Sequence, residues 1–117
     1  MKTENKILEM SFEFSLKIID LYKKLIESKE FVISNQLLRS GTSIGANVEE
    51  AIAGQSRKDF ISKMSIASKE ARETRYWLRL LDKSKLVKID YTDYLNEIEH
   101  IINVLTKIVK TSQEVTA

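Results

Sequence analysis

Gln36-Leu37-Leu38-Arg39-Ser40-Gly41-Thr42-Ser43-Ile44-Gly45-Ala46-Asn47-Val48-Glu49-Glu50-Ala51 holds two of the three glycines in a chain of 117 residues that has no proline. Its apolar residues still recur at helical spacing. With Ile33 before them and Ile52 after, Leu37, Ile44 and Val48 line up as one buried stripe. Each glycine costs about 1 kcal/mol of helix propensity, so Ser40-Gly41-Thr42-Ser43 is where a kink or a break would fall. The periodicity nevertheless predicts one continuous helix over residues 31–53. Spaced four apart, Gly41 and Gly45 share one side of that helix and form a shallow notch that lets a neighbouring helix backbone come close.

Working outward, Gly54 is placed to cap this helix and Ser56 to cap the next, ahead of Arg57-Lys58-Asp59-Phe60. A third helix over 57–84 carries Phe60, Met64, Ala67, Ala71, Leu78 and Leu81 on its core side. A linker over 85–90 leads to a fourth, 90–112, with the stripe Tyr91, Tyr94, Leu95, Ile98, Ile102, Leu105 and Val109; residues 115–117 are expected to fray. Upstream, a first helix over 5–28 has two apolar faces: Ile7, Phe14, Ile18, Leu21 and Leu25 on one, Leu8, Phe12, Ile19 and Ile26 about 100° around. Four helices joined by short connections predict an all-α, antiparallel up-down-up-down four-helix bundle, a single domain over 1–117.

Composition narrows the function classes. With 43% apolar and 31% charged residues the chain reads as one soluble globular domain with one core. The absence of cysteine excludes disulfides, thiolate metal sites, cysteine nucleophiles and iron–sulfur clusters. No apolar run approaches the ~20 residues of a membrane span, and Met1-Lys2-Thr3-Glu4-Asn5-Lys6 lacks the basic-then-apolar order of a secretory signal, so a cytoplasmic protein without a membrane partner is expected.

Catalysis has little footing. The single histidine, His100, follows Glu97 at the Glu-x-x-His spacing of di-iron bundles, but that site needs two such pairs and two further glutamates, and His100 points away from the stripe of its helix. No serine or threonine has another histidine to serve it as base. Glu49 and Glu50 point about 100° apart on their helix and so form no acid/base pair; Glu50 is placed near Arg39 of the same helix. Gly41-Thr42-Ser43-Ile44-Gly45 lacks the lysine and the preceding strand of a phosphate loop. No catalytic residue, metal, cofactor or small-molecule substrate is expected.

The net charge of +2 hides a strongly uneven distribution, because residues 57–89 carry ten basic and four acidic groups. Lys58, Lys69, Arg72, Arg79 and Lys83 fall in one sector of the third helix, away from Phe60, Ala67 and Leu78, with Tyr76 among them. Such a stripe spans several phosphates of RNA or DNA, and Tyr76 can stack on a base. It can equally be a solvated face, or pair with Asp93, Glu97 and Glu99 of the fourth helix. On its flank, Ile66, Trp77 and Leu80 lie well off the core stripe. Together with Leu8, Phe12, Ile19 and Ile26 they give two surfaces that would meet head-to-tail between subunits; the alternative is a single wide core that takes up both.

From Gln36 to Leu81 the chain resembles the bacterial four-helix-bundle family named for proteins encoded in intervening sequences of 23S ribosomal RNA genes. The resemblance rests on the stretch quoted first, on Ser56-Arg57-Lys58-Asp59-Phe60 and on Ala67-Ser68-Lys69-Glu70-Ala71-Arg72-Glu73-Thr74. The chain departs from the family pattern at Ile52-Ala53, where the usual glycine is displaced, and at Gly41 and Gly45, where alanine and proline are common. The resemblance implies a four-helix bundle assembled as a homopentameric ring, with no known catalytic activity. It also implies a connection to the accessory variability protein of diversity-generating retroelements, a basic relative that binds nucleic acid and a reverse transcriptase. A protein partner in place of direct nucleic-acid contact is the other role it leaves open.

Overall fold

The computed structural model describes residues 2–116; of the residues 115–117 expected to fray, 115 and 116 belong to the last helix and Ala117 lies outside the described residues. Four helices account for nearly all of them: α1 (Lys2–Glu27), α2 (Ile33–Ile52), α3 (Arg57–Ser84) and α4 (Thr92–Thr116), with no strand among the described residues. α1 packs on α2, α2 on α3 and α3 on α4, while α4 returns to α1 along the thinnest of the four seams, giving a rod of 47 × 21 × 21 Å. No described helix is long and apolar enough to cross a membrane.

α2 runs unbroken through both glycines, as the periodicity predicts. The notch works at two depths. A Cβ on Gly41 would lie 2.9 Å from Ile18 Cγ2, and one on Gly45 would lie 3.4 Å from the Ser11 carbonyl oxygen, so at Gly45 the α1 backbone itself is the neighbour. Beneath this seam Ile7, Phe14, Ile18, Leu21 and Leu25 are fully buried against Leu37, Ile44, Val48, Met64, Ala67, Leu78 and Leu81. Burying each of the larger aliphatic side chains is worth about 1.5–3 kcal/mol, which is the main cohesive term of the bundle.

The helix ends depart from the sequence reading in instructive ways. Gly54 ends α2 without the left-handed geometry of a glycine cap: the backbone cap is Ala53 in right-handed geometry, its N–H donating to Glu49 O, the Gly54 N–H donates to Ala51 O at 3.1 Å, and no glycine has positive φ. The left-handed positions after α1 and α3 fall instead on Lys29 (φ 64°) and Lys85 (φ 53°). Ser56 caps α3 as expected, its hydroxyl oxygen accepting from the Asp59 N–H at 3.1 Å. The fourth helix starts later and ends later than the expected 90–112. Asp90 Oδ1 accepts the Thr92 N–H at 3.0 Å and starts the helix there, which leaves Tyr91 in the connection. Its ring is buried all the same, and its hydroxyl donates to Val87 O at 2.9 Å. Burial, with the nearby carboxylates of Asp82 and Glu30, pushes the Tyr91 hydroxyl up to about 12.

α2 has an unusual start. The backbone cap residue, Val32, has no capping side chain, and Glu30 takes over the task from two residues upstream. Its carboxylate accepts from the N–H groups of Val32 (3.2 Å), Ile33 (2.9 Å) and Ser34 (2.6 Å), while the Ser34 hydroxyl donates to Glu30 O. Burial opposes the charged carboxylate, but the donors of Ile33, Ser34 and Val32 outweigh it, and the group is held below its ordinary value. Its stabilising contribution is therefore full above the ordinary carboxylate range and is lost as pH falls through the depressed folded value. Glu30→Ala is expected to cost about 2 kcal/mol at pH 7. In urea unfolding at pH 7 and pH 3, the gap between wild type and Glu30→Ala narrows at the lower pH; a gap that stays constant would show that the charge is not what starts the helix.

Candidate nucleic-acid interface

The outward side of α3 is set by what its inward side buries. Met64, Ala67, Ala71, Thr74, Leu78 and Leu81 face the core, so the opposite sector holds Lys58, Lys69, Arg72, Tyr76, Arg79 and Lys83, all exposed. At 1.5 Å per residue the row from Lys58 to Lys83 is about 38 Å long. Among the described residues none of these five cations forms an ion pair. Arg72 alone is tethered, donating to Thr106 Oγ1 of α4 at 3.2 Å. The expected pairing with α4 acids does not form among the described residues: Glu97 pairs with Lys17 of α1, Glu99 with Arg75 at 2.9 Å, and Asp93 with none of the five cations. Arg75 lies on the α4 flank of α3, outside the stripe.

The opposite flank of α3 is tied to α2. Arg39 bridges Glu70 at 3.2 Å and Glu73, and its guanidinium also donates to Gln36 Oε1. The expected proximity of Arg39 and Glu50 is thus corrected: they lie three turns apart along α2, and Glu50 pairs with Lys63 of α3 at 2.9 Å. Beneath Arg39 the hydroxyls of Thr74 and Ser40 hydrogen-bond at 2.9 Å in the buried seam. Glu73 in turn accepts the Trp77 Nε1–H at 3.0 Å, and the Trp77 ring meets the Tyr76 ring edge-on, centroids 5.1 Å apart and planes at 67°. A chain of contacts from Arg39 through Glu73 and Trp77 therefore orients the one aromatic ring in the basic stripe. Reading each helix alone missed this network; the Arg39 and Glu73-Thr74 positions of the two quoted stretches were its only signal.

The two apolar flanks are divided between core and surface. Leu8 and Trp77 pack partly on the core, and Ile26 and Leu80 are half-buried, whereas Phe12 (58% exposed), Ile19 and Ile66 lie open. Leu16, which the helix pattern left unassigned, joins Phe12 and Ile19 on the open face of α1. The seam between α1 and α4 opens as a groove of about 780 Å³ lined by Glu9, Met10, Glu13, Glu97, His100 and Ile101. His100 is exposed at its edge, and among the described residues no cluster of three or more acidic or histidine side chains is placed to hold a metal ion.

Comparison with known proteins places these features in context. The model of the 23S rRNA-intervening sequence protein family matches residues 3–107. A crystal structure of a protein of unknown function from the S23 ribosomal protein family of Bacteroides thetaiotaomicron VPI-5482 is similar with a TM-score of 0.88 and 48% identity, over 92% of this chain and 98% of that one. No curated protein matches the chain.

Proposed function

The chain belongs to the 23S rRNA-intervening sequence protein family, and we propose that within it this protein is a non-enzymatic, cytoplasmic, oligomeric bundle that binds RNA or DNA backbone through α3. The observation that carries the reading is the row of Lys58, Lys69, Arg72, Arg79 and Lys83, exposed on one face and without an acidic partner. Surface cations left unpaired are free to replace the counterions of a phosphate backbone, and release of those ions drives association without any readout of sequence.

The bundle reading is an antiparallel up-down-up-down one. It is supported by contacts whose numbers rise on one helix as they fall on the next: Glu50 with Lys63 and Arg39 with Glu73, or Arg75 with Glu99 and Arg72 with Thr106. The assembly we propose is a homopentameric ring in which the α1 face of Leu8, Phe12, Ile19 and Ile26 meets Ile66, Trp77 and Leu80 of a neighbouring copy. Its support is the exposure of Phe12 and Leu16, with Ile19 and Ile66 covered only in part by their own chain. A ring repeats the basic stripe and so multiplies weak phosphate contacts. The second reading, an adaptor that holds a protein partner, is favoured by the same open face of α1, where Leu16 and Phe12 stand side by side with the assigned residues.

Light scattering on protein purified without nuclease, with the 260 to 280 nm absorbance ratio read across the peak, tests both. The single Trp77 and four tyrosines fix the protein's own contribution. An oligomer that carries nucleic acid at low salt and sheds it at high salt is the expected result. A clean species indifferent to salt would move the assignment to the adaptor.

A further inference from the structure

Resting on the α3 reading above, we infer that the site takes single-stranded nucleic acid in preference to duplex, with Tyr76 as a stacking platform at the centre of the four cations Lys69, Arg72, Arg79 and Lys83. Tyr76 lies seven residues from both Lys69 and Lys83, so the two lysines flank it at about 10 Å on the same face. Arg72 and Arg79 lie about one turn to either side. The ring is 54% exposed although it stands on a well-packed helix. Its neighbours hold it in place: the edge contact with Trp77 fixes its plane, Trp77 is held by Glu73, and Glu73 by Arg39. On one side Arg72 is steadied by Thr106. An exposed, oriented aromatic between cations at regular spacing is the combination that binds unpaired strands, where each base offers a face and each phosphate a charge.

Charge alone would select the opposite ligand. Duplex has the higher charge density and releases more counterions for each phosphate neutralised, so a row of lysines and arginines on a straight helix favours duplex. The faces of paired bases are covered by their neighbours in the stack, and Tyr76 then has nothing to lie on. Any preference for single strands therefore has to come from the ring, which makes the inference separable from the electrostatic reading beneath it.

The test is a fluorescence-anisotropy titration of the full chain with a labelled 12-nucleotide single strand and the corresponding 12-base-pair duplex at low salt. Wild type is expected to bind the single strand about ten-fold more tightly. Tyr76→Ala lowers single-strand affinity about ten-fold and brings the two affinities to within about two-fold of each other, while Tyr76→Phe, which keeps the ring, behaves as wild type. Circular dichroism melting of both variants checks that the bundle is intact. Wild type that binds duplex equally or better, or a Tyr76→Ala variant that keeps its single-strand preference, overturns the platform and leaves the cation row standing. Wild type that binds neither ligand overturns the α3 reading and the platform with it.

Discussion

Arg72→Glu combined with Arg79→Glu lowers nucleic-acid affinity by about a hundred-fold or more at low salt, and the slope of log affinity against log salt falls by roughly two. Each reversal removes one proposed phosphate contact and puts a repulsive carboxylate in its place, so the expected loss exceeds that of two alanine substitutions. The fold should tolerate the change. Both side chains are exposed, and the only described contact broken is the Arg72 hydrogen bond to Thr106, an exposed bond worth at most about 1 kcal/mol. Lys23→Glu with Lys24→Glu on α1 gives the same change of net charge on exposed residues outside the row, and is expected to cost far less affinity. Titration of one labelled oligonucleotide across a salt series reads both variants. Equal losses in the two would mean that the protein responds to net charge and has no surface on α3; unchanged binding in the first would remove the proposed surface outright.

The basic row was legible in the sequence because it needs only the helical repeat of one element. Its freedom from acids was not, since Glu97 and Glu99 look available until packing gives one to Lys17 and the other to Arg75. The same distinction runs through the fold. The core residues expected on α1, and Met64 to Leu81 on α3, are buried where the period places them, because each of these helices presents one stripe to its neighbours. α4 departs from its expected stripe: Ile101 and Ile108 join Ile98, Ile102 and Leu105 in the core, whereas Tyr94, Leu95 and Val109 are only partly buried. Ile52 fits the α2 repeat but is 36% exposed; it is the last residue of its helix, beside an open pocket at the end of the rod, where no further turn covers it. Ends are the least legible part. Glu30 caps from outside the usual window, two lysines adopt the left-handed conformation favoured by glycine, and Gly54, the obvious candidate, does not. Propensity supplies a preference at each of these positions, and the path of the next helix decides it.

Gly41 and Gly45 put that lesson to the hardest test, because substitution at the two positions should move stability in opposite directions. Alanine gains about 1 kcal/mol of helix propensity over glycine at either site. At Gly45 the added methyl meets the Ser11 carbonyl oxygen and Ser15 Oγ at 3.4 Å, ordinary contact, so Gly45→Ala is expected to stabilise by about 0.5 kcal/mol. At Gly41 it meets Ile18 Cγ2 at 2.9 Å, Cγ1 at 3.0 Å and Cβ at 3.3 Å. Ile18 is β-branched on a helix and fully buried, so it has no second rotamer to retreat into and α1 itself must shift. Gly41→Ala is then expected to destabilise by about 1 kcal/mol despite its propensity gain, and Gly41→Leu, which forces a full side chain into the seam, by about 3 kcal/mol. Ile18→Ala provides the internal check. Alone it leaves a cavity and costs about 2–5 kcal/mol, but with Gly41→Ala the new methyl enters space that Ile18 has vacated, and the pair costs at least about 1 kcal/mol less than the sum of the two. Urea unfolding of the four variants and the double mutant measures all of these terms. Additive costs at 18 and 41, or the same sign of change at 41 and 45, would mean that α1 and α2 do not meet at the notch.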